Sequence, residues 1–415
     1  MKFQKNRVGI IFSLGVLALC IIFSSSLFAA EPKPGDKIDS SNVDQYIDFF
    51  PPYLVKYIKD GGGFSVPVVI TIRETEKYNV PDAFLKYSEL NKDKFSVGPD
   101  NNLVGDWQVG LPFPDPKEPN LAEKIMWNYY ARWRGDDFYY PSPGWTYVQK
   151  RKGGSITAGG GTNVYHYFMN RCSVEPKPVV KHPQNLFLAY TLNSLTGMNK
   201  GFEYLVWRYK DPAKSDDMWA YIPTLRRTLR MVSTERANPI QGTPATWDDW
   251  YCFDGKIPEF TYKFVAEKPM LELMHQITMA EGKYYDGFPG PIVDIDPWEI
   301  WDHYIVEIKS KNPRYPESKR IHYILKDVYF SHSAETFDKQ GNFWKGVWSG
   351  YSKQCTKTGE CGPFQSSASY NDFKTEYWGA NLLRTKAVMN SGLKPDMFEP
   401  SFLGGGFLDF FEQNK

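Results

Sequence analysis

The sequence predicts a mainly β protein of the α+β class, built on one large, curved antiparallel sheet. Three observations carry this. Phe, Tyr and Trp number 28, 27 and 13, or 16% of 415 residues, and such a surplus of rings calls for extensive apolar faces. From about residue 145 to 330, segments of eight to ten residues alternate with turn chemistry such as TGMNKG, YKDPAKSDD and KSKNPRYPES, the pattern of strands joined by short turns. No pattern of connecting-helix length intervenes, so neighbouring strands are expected to pair antiparallel. Several strands are bulky on both faces, as at Phe202, Tyr204, Leu205, Val206, Trp207 and Tyr209. A sheet of that kind needs cover on one face and something apolar on the other.

The chain divides into three stretches. Residues 1–30 read as a cleavable signal peptide: Lys2, Lys5 and Arg7, then an apolar run over 8–23, then small residues ending in Ala29-Ala30. Leu19 stands where lipid attachment at Cys20 would want a small residue, so acylation is not expected. Residues 31–104 read as an N-terminal α/β segment. Val43, Tyr46, Ile47 and Phe50 recur at helical spacing after Ser41, with Asp44 at the capping-box position; Pro51-Pro52 ends that run. A second short helix carries Leu54, Tyr57 and Ile58 into Gly61-Gly62-Gly63, and residues 66–72 read as a β-branched strand. The third stretch, 105–415, opens with a helix from Asn120 to about Tyr130 bearing Trp127, with Glu123 as the capping partner. It continues with strands expected over 164–171, 185–193, 202–210, 218–232, 259–265, 299–309 and 320–330. Residues 31–104 and 105–415 are expected to form one continuous unit.

Charge excludes one class of partner. Lys plus Arg number 49 against 48 Asp plus Glu, so nothing favours nucleic acid. Four cysteines remain after the signal peptide, an even number in an exported chain. The turn-like insert between Cys355 and Cys361 predicts a local disulfide, and Cys172 is then expected to pair with Cys252.

Motifs of familiar chemistry are missing: there is no GxSxG elbow, no GxxxxGK[ST] loop and no HExxH helix. No cofactor and no metal are expected, since the six histidines are scattered without helical metal spacing. Asp294, Asp296, Glu299 and Asp302 form a carboxylate-rich stretch, and the first three could serve a secreted carbohydrate-active enzyme as an acid/base pair. A rim where a strand begins is the simpler reading. In WAYIPTLRRTLR, over 219–230, consecutive Arg226 and Arg227 on a strand project to opposite faces, so one is expected to point inward. An inward guanidinium needs a carboxylate or a ligand's head group, and Asp216, Asp248 and Asp249 are the expected partners.

With these motifs in view, the chain resembles the exported family known as domain of unknown function 1329, in the superfamily of the lipoprotein carriers LolA and LolB. The resemblance rests on PGDKI at 34–38, GLPFPDP at 110–116, WNYYARWRGDD at 127–137, WAYIPTLRRTLR at 219–230, DDW at 248–250, WEIWDHYIVEIK at 298–309 and YPESKRIHYIL at 315–325. It implies an incomplete LolA-like β-barrel wrapped around short helices, with an apolar lumen. It further implies a periplasmic carrier of a lipid or other hydrophobic small molecule, without catalysis. An inner-membrane efflux transporter of the resistance-nodulation-division type and an outer-membrane protein are the partners it suggests. The residues expected in the lumen are Trp127, Trp207, Trp219, Tyr221 and Trp301, with Phe113 at a mouth.

Overall fold

The computed structural model describes residues 30–60, 68–141, 144–150, 155–197, 199–231, 236–240, 243–277, 296–382 and 386–414. Residues 1–29 of the expected signal peptide and Asp294 lie outside them. In chain order the elements are β1 (Lys37–Ile38), α1 (Pro52–Lys59), β2 (Ile70–Thr71), α2 (Asp82–Leu90), β3 (Ser96–Val97), β4 (Leu103–Val104), α3 (Leu121–Ala131), β5 (Asp137–Tyr139), β6 (Gly144–Lys150), β7 (Ser155–Tyr167), β8 (Leu186–Thr196), β9 (Glu203–Tyr209), β10 (Asp217–Ile222) and β11 (Arg227–Met231). They continue with β12 (Phe260–Glu272), β13 (Glu299–Ser310), β14 (Lys319–Leu325), β15 (Ser331–Phe337), β16 (Phe343–Cys355), β17 (Cys361–Asp372), β18 (Tyr377–Leu382), β19 (Val388–Met389) and α4 (Gly406–Gln413).

One sheet of fifteen strands dominates, in the order β11-β10-β9-β8-β7-β6-β18-β17-β16-β15-β14-β13-β12, with β5 paired to β7 and β19 paired to β5. Every pairing in it is antiparallel. It consists of two meanders, β6 to β11 and β12 to β18, sewn together where β6 pairs with β18. Among the described residues, strands β11 and β12 are free edges, and the sheet does not close.

The sheet nevertheless curls. The short segment Trp247–Cys252 meets strands far apart in the sheet order. Trp247 packs its ring on Tyr190 of β8 and Tyr204 of β9, while Arg320 of β14 donates to the carbonyls of Asp248 and Cys252. A flat sheet would hold β9 and β14 many strand widths apart. Register shifts interrupt the pairing at Gly160/Gly161, Phe264/Ala266, Tyr323/Ile324 and Gly350/Tyr351, and bulges of this kind sharpen local twist.

The convex face carries two covers. Over one half lies α1, whose Tyr53 donates to or accepts from Ser333 Oγ at 2.6 Å and packs in a cluster with Trp348 and Trp378. Gly346 permits that approach, since a Cβ there would stand 2.5 Å from the Tyr53 ring. Over the other half, α4 and the chain before it bury Phe398, Leu403, Phe407 and Phe411 against Val164, Leu205 and Trp207.

Several expectations shift in detail. The run after Ser41 is a 3-10 helix, Val43–Phe49, capped at Asn42 without a side-chain bond; Asp44 instead pairs with Lys59. Asn120 does precede α3, but in a left-handed conformation and without a capping bond. The strand expected over 218–232 is broken into β10 and β11 by a turn at 223–226, and the expected strand over 66–72 is described only as the two residues of β2. The bond between Cys355 and Cys361 is present. Cys172 and Cys252 are both free and buried in separate clusters, so the second expected disulfide is not formed.

Candidate binding cleft

The hollow of the curl is occupied by the chain itself. Helix α3 and residues 243–259 lie in it, and buried charge locks the latter to the sheet. Arg208 of β9 meets Asp216 at 3.1 Å and Asp254 at 2.9 Å; Arg236 meets Asp248 and Asp254, each at 2.9 Å. On the other side Arg320 meets Asp249 at 2.6 Å and Glu317 at 2.7 Å, and Lys345 of β16 meets Asp249 at 3.0 Å. The segment between is shaped by a capping box missed in the sequence: Thr246 and Asp249 exchange bonds at the start of Trp247–Cys252.

This network corrects the arginine expectation. Arg226 sits in the turn with φ 49°, and both it and Arg227 are exposed. The guanidinium groups that reach Asp216, Asp248 and Asp249 are those of Arg208, Arg236 and Arg320. The break between β10 and β11 removes the alternation that would have driven one arginine of the pair inward.

Burial alone would raise the pKa of Asp249, but Lys345 and Arg320 overcome it and hold the carboxyl at about 2, below its ordinary 3.8. A depressed folded-state pKa stabilises the fold above the unfolded value and loses that contribution as pH falls through the folded one. Stability should therefore fall by on the order of 2 kcal/mol from Asp249 alone between about pH 4 and 2. Urea titrations across that range check it; Asp249→Asn should flatten the dependence, and an unchanged slope in the variant would remove Asp249 as a cause.

Open space remains at the lip of the hollow. A groove of about 540 Å³ is lined by Met169, Val179, Val180, Leu186 and Asn185, with Lys181, His182 and Lys210 around it. It shares Met169 and Lys210 with a narrow recess of about 70 Å³ walled by Leu103, Trp107, Trp127, Tyr130 and Phe187. The recess is aromatic because α3 presents Trp127 and Tyr130 towards the β3–β4 hairpin, and Tyr130 stacks on Phe187 at 4.7 Å. At the rim, Lys210 pairs with Asp106 at 2.9 Å and His182 with Glu399 at 3.0 Å. The outer wall, the loop after β7, is held by Asp136, whose carboxylate accepts from the backbone N–H groups of Cys172, Ser173 and Val174.

The six residues expected in the lumen are dispersed. Trp127 lines the recess. Phe113 packs under Lys124 in the cluster around α3. Trp301 lies against Tyr78 and Lys77. Trp207, Trp219 and Tyr221 are on the convex face under the C-terminal chain; Trp207 Nε1 donates to the Phe398 carbonyl at 2.6 Å. Among the carboxylates considered for glycoside chemistry, Glu299 is fully buried and committed to Arg73, the Glu76 N–H and His275.

An unclosed, curled antiparallel sheet around helices is an incomplete β-barrel, and the protein is of that class. Residues 37–404 match the family described as "Protein of unknown function (DUF1329)", and the chain belongs to it. No curated protein matches. Among solved structures, the chain is similar to one described as a "putative outer membrane lipoprotein-sorting protein domain" from Vibrio parahaemolyticus, at 13% identity over 69% of this chain and 99% of that one, TM-score 0.49. It is similar to a DUF1329 family protein from Desulfovibrio piger ATCC 29098 (15%, 67% and 96%, TM-score 0.48). A LolA superfamily protein from Nitrosomonas europaea is a third (10%, 68% and 99%, TM-score 0.41).

Proposed function

We propose that the protein is a periplasmic carrier that binds a lipid or other hydrophobic molecule without covalent chemistry, in the groove and recess at the lip of the curl. The observation that carries this is the groove itself: its volume falls within the several hundred Å³ usual for small-molecule sites, and its floor of Met169, Val179, Val180 and Leu186 is apolar. Lys181 at its margin favours an acidic head group over a neutral one, while Lys210 beside it is already engaged by Asp106. The aromatic recess is large enough only for the end of a chain or ring. This places the guest at the lip of the curl, outside the part of the hollow that α3 and residues 243–259 occupy. Export is supported by the leader-like first thirty residues and by the Cys355–Cys361 disulfide. Exchange of cargo with an efflux transporter of the resistance-nodulation-division type and with an outer-membrane protein is the finer reading, supported by the resemblance alone.

Solvent extraction of protein purified from its native host, followed by mass spectrometry, tests the cargo. A fluorescent fatty-acid analogue tests the place. Val179→Trp fills the groove from a partly exposed position and should weaken the analogue about tenfold, roughly the 1.4 kcal/mol of a lost apolar contact area, with thermal unfolding unchanged. Recovery of no apolar molecule, together with binding indifferent to Val179→Trp, overturns the proposal.

A further inference from the structure

We propose that Glu272, His303 and His332 form a binding site for one zinc ion. They come from β12, β13 and β15, far apart in sequence and away from the groove. Their ligating atoms lie within 4.8 Å of one another, and all three side chains have zero exposure.

Three details of geometry favour a metal over an accidental meeting. First, His303 Nδ1 lies 2.8 Å from the carbonyl oxygen of Trp301. A carbonyl only accepts, so Nδ1 carries the proton and, in the neutral ring, Nε2 presents its lone pair. That lone pair is 2.5 Å from Glu272 Oε2. Two acceptors face each other there, and a positive centre must stand between them. A backbone carbonyl that fixes the tautomer of an imidazole is also the usual support of a metal-bound histidine. Second, His332 occupies the irregularity where β15 slips against β14 between Tyr323 and Ile324, and a bulge re-aims its extra side chain. Its Nδ1 is 2.9 Å from Glu272 Oε1, yet Nδ1, Nε2 and Oε1 are all without an aligned hydrogen-bond partner. Buried polar atoms left unsatisfied are uncommon, and the facing pair of Glu272 Oε1 and His332 Nδ1 asks for a cation held between them. Third, among the described residues no lysine or arginine forms an ion pair with Glu272; its ionic contacts are the two imidazoles. A buried carboxylate so placed is costly unless a cation joins it.

Two imidazoles and a carboxylate are a donor set of zinc and its borderline neighbours, with metal–ligand bonds of about 2.0–2.2 Å. Around a tetrahedral ion such bonds set the ligand atoms roughly 3.3 Å apart, so the 2.5 Å and 2.9 Å contacts widen by a few tenths of an ångström or more as the metal enters. The ion would pin β12, an edge strand among the described residues, to its neighbour β13 and to β15, three places along the sheet order, which gives the site a structural task. The competing occupant is a proton shared within the trio, and it needs no metal at all.

The test uses the mature protein without a polyhistidine tag, grown with zinc in the medium. After desalting, elemental analysis should find about one zinc per chain. Stripping with a chelator in mild denaturant should lower the thermal midpoint, zinc should restore it, and cobalt(II) in its place should show the visible absorption of a tetrahedral site. Glu272→Gln and His332→Ala should each reduce the metal content at least fivefold. If either variant fails to fold, the wild-type measurements decide. A wild-type chain that holds less than about a tenth of an equivalent, binds no cobalt and melts alike with and without zinc would assign the trio to a shared proton and end the proposal.

Discussion

Arg320→Ala is expected to destabilise the protein by about 3–5 kcal/mol, the cost of stranding buried charge by removing one partner. The guanidinium is fully buried and donates to Glu317 through Nε and Nη2, to Asp249 through Nη2, and to the carbonyls of Asp248 and Cys252 through Nη1. Alanine leaves Asp249 with Lys345 as its cation beside the Thr246 hydrogen bonds and Glu317 with a Lys345 contact of 4.0 Å. It also frees two buried carbonyls that anchor residues 247–252 in the hollow. Urea unfolding of wild type and variant measures the difference. A loss under about 1 kcal/mol would mean that water reaches these carboxylates and that the network is not the dry lock described.

The second large effect is expected at Asp136→Ala, about 3–4 kcal/mol, because three backbone N–H groups at 2.6–2.9 Å lose their common acceptor at once and each orphaned donor costs about 1–3 kcal/mol, partly recovered by water at this half-buried loop. The variant should also loosen the outer wall of the groove. Hydrogen exchange should rise over 171–180 before it rises in β7 and β8. Uniform loss of protection across the sheet would show that Asp136 supports the whole fold and not the loop in particular.

The strands between β7 and β14 were legible because strand alternation and turn chemistry are local signals, whereas β15 to β19 carry no expectation in the sequence analysis. β8, β9, β12 and β13 begin within two residues of the expected positions. The hollow was not legible, for a reason also visible in the strands. With rings on both sides of β9, alternation reveals two faces but not which one is concave, so Trp207 was placed inside although Tyr204 and Arg208 are the residues that point there. The RWRGDD stretch carries part of the family resemblance, and its Arg132, Arg134, Asp136 and Asp137 are all buried; nothing in residue type separates a surface acid from one that gathers backbone amides. The Cys172–Cys252 pairing failed because even numbers say nothing about distance. The Glu272, His303 and His332 trio has no linear spacing at all, since three strands bring it together.

The seam between the two meanders bears on how the molecule comes into being. Its rungs join Trp145–Lys150 to Tyr377–Leu382, residues about 230 positions apart. A chain threaded through a membrane N-terminus first cannot lay that seam until almost all of it has crossed. Until then β6 is an unguarded strand edge, and the time it spends so is a window in which a holding chaperone, or an aggregate, competes for it.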